Sequence, residues 1–228
     1  MKAHPLTSEY SSYGTFNELA ENNRSQLRTL IEGLAAQQSQ PGTVAQKVGD
    51  LYKMAMDSTK LNADGMAPIK GELEKISALN DRSQLSAFVA AMRRDGFGPF
   101  FGVYVGADEM NSSMNIAVAY QGGFSLGERE YYLENDENTK SIRNQYEAHV
   151  AKMFELTGLD AEQAKKAAAD VMTVETRLAK SAKSAVELRD PHANYNKMSV
   201  AQLQKEVPGI DWDAYFSAIG LKGLQEIN

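Results

Sequence analysis

The chain contains no cysteine, which excludes disulfides, thiolate metal ligands and a cysteine nucleophile while leaving the redox compartment open. Histidine is scarce: His4, His149 and His192 are the whole complement, and no two stand at metal-ligand spacing. Long apolar runs are missing. The longest, near Phe100–Val105 and Ala87–Met92, fall far short of the ~20 residues that span a bilayer. Behind Met1-Lys2-Ala3-His4-Pro5 there is no apolar signal-peptide core, so either none existed or the chain has been cut. Basic runs are absent too, and a net charge of −6 with a pI near 5.2 argues against a nucleic-acid partner.

What remains is ordinary globular usage, with 43% hydrophobic and 24% charged residues in 228. A chain of this length buries roughly 70% of its unfolded surface, enough for a real core. Apolar spacing at three and four residues predicts helices over Gly14–Ala36, Thr43–Asp57, Pro68–Leu79 and from Asp81 or Ser83 to Gly96. Asn62–Gly65 reads as a turn. The period then changes to two: Phe101, Val103 and Val105, then Ile116, Val118 and Tyr120, flank the polar loop Asp108–Ser113 and predict one β-hairpin at about residues 100–121. Helical spacing returns from Asp136 or Asn138 to Gly158. The fold class is therefore mainly α, a multi-helix domain with one hairpin.

The stretch from Asp160 to Trp212 carries the most information. Ala161, Ala164, Ala168, Val171, Met172, Leu178, Ala179, Ala182 and Val186 form one stripe, a helix of about seven turns that Asp190-Pro191 ends. Glu175 lies on that stripe and needs a partner if the face is buried, for which Arg177 and Arg189 are candidates. Ser199 with Gln202 makes a capping box for a further helix, and Asp211–Ile219 is another. Met92, Met153 and Met172 fall on helical faces as core filler. At Gly223–Asn228 the spacing predicts the start of another helix.

Val174-Glu175-Thr176-Arg177-Leu178-Ala179, Arg189-Asp190-Pro191, Tyr195-Asn196-Lys197-Met198-Ser199 and Asp211-Trp212 with Tyr215-Phe216, in this order and spacing, resemble the N-terminal half of the neprilysin-type zinc metallopeptidases, peptidase family M13. Tyr13-Gly14-Thr15-Phe16, Leu51-Tyr52 with Met56-Asp57, and Gln121-Gly122-Gly123-Phe124-Ser125-Leu126 followed by Tyr131-Tyr132 extend the resemblance over nearly the whole chain. Gly127 stands where the family commonly has proline, and Ala55 where animal members carry cysteine, which points to a bacterial member of the PepO type.

The resemblance implies a helical, substrate-enclosing half of a zinc endopeptidase that cleaves peptides, working together with a C-terminal catalytic domain. Such chemistry needs His-Glu-x-x-His, two imidazoles one helical turn apart with a glutamate to activate the metal-bound water. No such motif occurs here. The expectation is one domain over 1–228, possibly cut short at both ends, with no catalytic and no metal-binding residue, zinc belonging to the full-length enzyme, and no peptidase activity of its own.

The one substrate contact carried over is Phe16, which in the family lines the pocket for the residue after the cleaved bond. Spacing alone favours Phe16 as a core residue of its helix. Ser12 and Ala20 stand where animal members place arginines that grip a terminal carboxylate, so an endopeptidase mode is favoured. For Glu175 the spacing favours a helix-packing ion pair, and for His149 and His192 surface or turn roles rather than metal ligation. The alternative reading is a stand-alone helical module that binds a peptide or protein without catalysis. Bacterial relatives are often exported, which places the chain in the cell envelope, periplasmic or extracytoplasmic.

Overall fold

The computed structural model describes residues 13–228, so His4 and Ser12 lie outside the described residues. The chain forms two compact units that divide at Gly71/Glu72.

In the first unit, α1 (Thr15–Ala36) and α2 (Val44–Met56) pack together, and α3 (Ser58–Asp64) follows. Their approach is set by Gly49: a Cβ there would lie 2.7 Å from the Leu34 carbonyl oxygen. Thr43 caps α2 by accepting from the Gln46 amide. Asp57 ends α2 and caps α3 through the Lys60 amide, so helix occupies most of the stretch read as a turn. The apolar stripes are largely uncovered here. Phe16, Leu19, Leu27, Leu30, Val44 and Leu51 are all more than half exposed, and Gly49 is the one buried residue of the three helices.

In the second unit, α4 (Lys70–Ser77) crosses the boundary and α5 (Leu85–Arg94) leads into the hairpin, β1 (Phe101–Asp108) and β2 (Asn111–Gln121). After α6 (Glu130–Leu133), the long helices α7 (Glu137–Leu156) and α8 (Ala161–Ser181) pack along each other. Ala164, Ala168 and Ala179 of α8 are fully buried, small side chains that let neighbouring elements pack closely. Short elements complete the chain: α9 (Pro191–Asn194), β3 (Met198–Ser199), α10 (Val200–Glu206), α11 (Trp212–Ala218) and β4 (Glu226–Ile227).

The core lies where α5, α10 and α11 meet the sheet. Val89, Ala90, Val103, Ala117, Val200 and Ile227 surround Trp212, Tyr215 and Phe216. Trp212 and Phe216 stack at 5.5 Å, and Phe101 reaches Trp212 at the same distance. The indole N–H donates to the Val207 carbonyl, so the one polar atom of the largest side chain is satisfied.

The mainly α class with a hairpin at the predicted place is what is observed, with three corrections. The hairpin belongs to a four-stranded sheet, order β1-β2-β4-β3. Gly223–Asn228 begins no helix: Asn228 N donates to Ala117 O and Ala119 N donates to Asn228 O, which fixes the segment as a strand beside β2. And α8 stops at Ser181, short of Val186. At its end the Ala182 carbonyl accepts from Arg129, and Gln121 bonds both the N–H and the carbonyl of Lys183, so long-range bonds replace the next helical turn. No helix among the described residues is long and apolar enough to cross a membrane.

Candidate functional site

Phe16 is the second residue of α1, whose entry is shaped by the Gly14 N–H donating to the Asn17 side chain at 3.0 Å. Its ring is 88% exposed, so it packs into no core of the described residues. No titratable group with catalytic geometry stands on this helix entry. What it offers is one uncovered aromatic face.

The second cluster is built by the Gln121–Leu126 turn against α6, α7 and α8. Glu175 is only 7% exposed, and α8 aims it into the turn. Its Oε1 accepts from Ser125 Oγ at 2.8 Å and from the Tyr146 hydroxyl at 3.0 Å. Its Oε2 accepts from the Tyr132 hydroxyl at 2.6 Å and the Ser125 N–H at 3.3 Å. Tyr132 in turn accepts from the Leu126 N–H. The predicted ion pair with Arg177 or Arg189 is therefore not formed: hydroxyls and an amide satisfy the carboxylate. Three side chains and the backbone of a distant turn reach it from elements that the helical period of α8 cannot encode. Burial, and then the bond to Glu175, push the Tyr132 hydroxyl far above the ordinary phenol range. Burial likewise raises Tyr146. Both phenols therefore stay protonated donors at any physiological pH.

Beside this cluster lies an apolar cavity of about 480 Å³, lined by Phe100, Phe154, Val171, Val174 and Leu178 with Glu175 at its edge. Phe100 has a left-handed backbone, φ 68°, where a bulky side chain is strained. It is held there by Gly123, whose own φ is 79° and where a Cβ would lie 2.6 Å from Phe100 Cα. Each oxygen of Glu175 accepts two hydrogen bonds, which accounts for the four acceptor sites of the carboxylate. The cluster fastens the turn, α6 and α7 to α8; sequence reasoning found its centre but none of its donors.

The Tyr195–Ser199 motif closes a third cluster. Asp108, at the hairpin turn and 2% exposed, accepts from the Met110 N–H at 2.9 Å and the Tyr195 hydroxyl at 3.1 Å, with Lys197 Nζ at 3.6 Å. The Met110 amide, against the opposing effect of burial, holds its carboxyl below the ordinary range, with Tyr195 and Lys197 helping. Lys197 also pairs with Glu226 at 3.0 Å, so the motif ties β3 and β4 to the hairpin. His149 and His192 are exposed, and His192 meets the third cluster only through its carbonyl, which accepts from the Tyr195 N–H. Among the described residues no group of three or more His, Cys, Asp or Glu could hold a metal ion.

A mostly helical scaffold with a small sheet, two buried polar fastenings at Glu175 and Asp108 and an uncovered aromatic at a helix entry is thus defined, without a catalytic constellation among the described residues. The chain belongs to peptidase family M13, whose N-terminal sequence profile matches residues 1–228. It is 30% identical to endothelin-converting enzyme 1 of Rattus norvegicus over an alignment of 230 positions that covers 96% of this chain and 29% of that protein. The figures for Homo sapiens are the same. Against the inhibitor complex of zinc metalloprotease 1 of Mycobacterium tuberculosis it is 31% identical, with a TM-score of 0.86, over 98% of this chain and 34% of that one. PepO of Lactobacillus rhamnosis, 17% identical with a TM-score of 0.79, shares the fold. The chain spans less than a third of the length of the curated relatives it matches. Zinc, which names one of these relatives, finds no fitting ligand set among the residues described here.

Proposed function

We propose that this chain is the substrate-enclosing N-terminal part of a zinc endopeptidase of peptides, one domain over 1–228 in a bacterial enzyme of the PepO type, with catalysis and zinc supplied by a C-terminal domain. The observation that carries it is the family match over residues 1–228 in a chain spanning 29% of a relative such as endothelin-converting enzyme 1. The 31% identity to a mycobacterial zinc metalloprotease supports a bacterial source, as does the absence of cysteine. In this reading Phe16 lines the pocket for the residue after the scissile bond, supported by its exposure at the start of α1. An apolar ring there discriminates by burial, worth about 1–3 kcal/mol between large and small side chains. The compartment is the cell envelope, on the outer side of the cytoplasmic membrane.

The test uses the complete product of the source gene. The reading requires a His-Glu-x-x-His helix in frame after Asn228 and zinc-dependent cleavage of internal peptide bonds. In that enzyme Phe16→Ala is expected to lower kcat/KM about 10-fold or more for substrates with a large apolar residue after the cleaved bond, and little for those with alanine there. A stop codon close behind Asn228 would leave the stand-alone binding module instead; an equal loss on both substrates, with a lowered Tm, would return Phe16 to a packing role.

A further inference from the structure

The sheet has one edge that the fold leaves open. Among the described residues β1 pairs with β2 alone, and its other edge borders a groove of about 310 Å³ lined by Arg93, Arg94, Val103, Val105, Ile219 and Leu221. At the start of that edge the Phe101 N–H closes on Pro99 O at 2.9 Å, and the Val103 carbonyl accepts from Arg93 Nη2 at 2.8 Å. Beyond Val103 this protection stops. Among the described residues no backbone hydrogen bond from outside the hairpin reaches Val105, which is 53% exposed. An unblunted edge of this kind is a template for an added strand.

The charge at the groove selects what can fill it. Arg94 is exposed and Arg93 half-buried, and among the described residues neither guanidinium has a carboxylate within ion-pairing distance. The adjacent acid, Asp95, is engaged by Lys75. In a chain of net charge −6, Arg93-Arg94 is the sole pair of consecutive arginines, and it lies at the end of α5 where that helix borders the groove. A second copy added edge to edge would set Arg94 near its own equivalent, and two arginines are too few to hold a nucleic-acid backbone.

We infer that the β1 edge binds an extended peptide segment bearing an acidic side chain, the segment pairing with Val105 and its carboxylate lying on Arg93 and Arg94. Main-chain pairing supplies affinity and the guanidinium pair supplies selectivity. Residues two apart on a strand sit about 7 Å apart on one face, so an acid two positions from the residue opposite Val105 reaches the Val103 level where Arg93 is anchored. This surface is separate from the Phe16 reading and requires neither zinc nor turnover.

The experiment is fluorescence anisotropy on the chain with a fluorescein-labelled, end-blocked peptide of alternating threonine and valine that carries one central glutamate. Saturable binding is expected. A glutamine sibling is expected to bind at least about 5-fold more weakly, and a sibling with alternate amides N-methylated at least about 10-fold more weakly. Arg94→Glu, an exposed change whose folding is checked by an unshifted Tm, is expected to lose the glutamate peptide about 10-fold and to prefer a lysine sibling. Three outcomes would overturn the proposal: no binding up to about 1 mM, equal binding of the glutamine or N-methylated sibling, or equal binding of a glutamate-free peptide with an unblocked C-terminus, which would assign the anionic contact to a chain terminus.

Discussion

Glu175 shows what a sequence can and cannot say about one residue. Its place on an apolar stripe of α8 made burial legible, and burial of a carboxylate made a partner obligatory. The partners were not legible, because Ser125 and Tyr132 lie 50 and 43 positions away and Tyr146 lies 29 away. A carboxylate also need not choose a cation when four neutral donors fit its two oxygens. The two readings separate on mutation. Glu175→Ala leaves two phenols and a serine facing a void and is expected to cost about 2–4 kcal/mol. That is a fall of ~5–12 °C in Tm for a chain of this size. Arg177→Ala and Arg189→Ala should each stay within about 0.5 kcal/mol of the parent. Thermal melts by circular dichroism decide; a large loss on either arginine change would restore the ion pair. For Phe16, spacing alone favoured a core position, and its 88% exposure overturns that packing reading because helical period does not say which face a neighbour covers.

Among the elements, those specified locally were read well and those specified at a distance were not. Asp136 accepts from the Thr139 amide and Asp160 forms a reciprocal box with Gln163, side chains within one turn of the helices they start. Of the box read at Ser199, the half from the Gln202 amide to the serine hydroxyl is formed. The end of α8, by contrast, is set by Arg129 and Gln121, and β4 by Ala117 and Ala119, all beyond any local window. Met153, read as core filler, is half exposed because period alone does not say which face of α7 is covered. The α1–α2 contact offers a sharp element-scale test. Gly49→Ala places a methyl 2.7 Å from the Leu34 carbonyl, a backbone atom that cannot swing aside. Forcing the two helices apart is expected to cost about 1–3 kcal/mol. Amide hydrogen exchange should show the loss confined to α1 and α2, while fluorescence of Trp212, the sole tryptophan and a core residue of the other unit, stays unchanged.

At the scale of the whole molecule the two units differ in kind. The unit ending at Gly71 buries none of the large apolar side chains that stripe its helices, whereas the one from Glu72 onward closes an aromatic core around Trp212, Tyr215 and Phe216. Helical hairpins without a buried face are held chiefly by local bonds, and isolated helices of this length are marginal in water. Helicity before Gly71 is therefore expected to melt at a lower temperature than the Trp212 signal. Neither transition should involve a metal, because stabilisation by a bound ion needs ligands present in the native state and no such group exists among the described residues. Melting with and without a millimolar chelator should thus give the same two midpoints, followed by far-ultraviolet circular dichroism for the first and tryptophan fluorescence for the second. A chelator-induced fall of several degrees in either would reveal a structural metal site that includes residues before Tyr13. A single coincident transition by both probes would show that the apolar stripes of α1 and α2 are stabilised by more than their own helices supply.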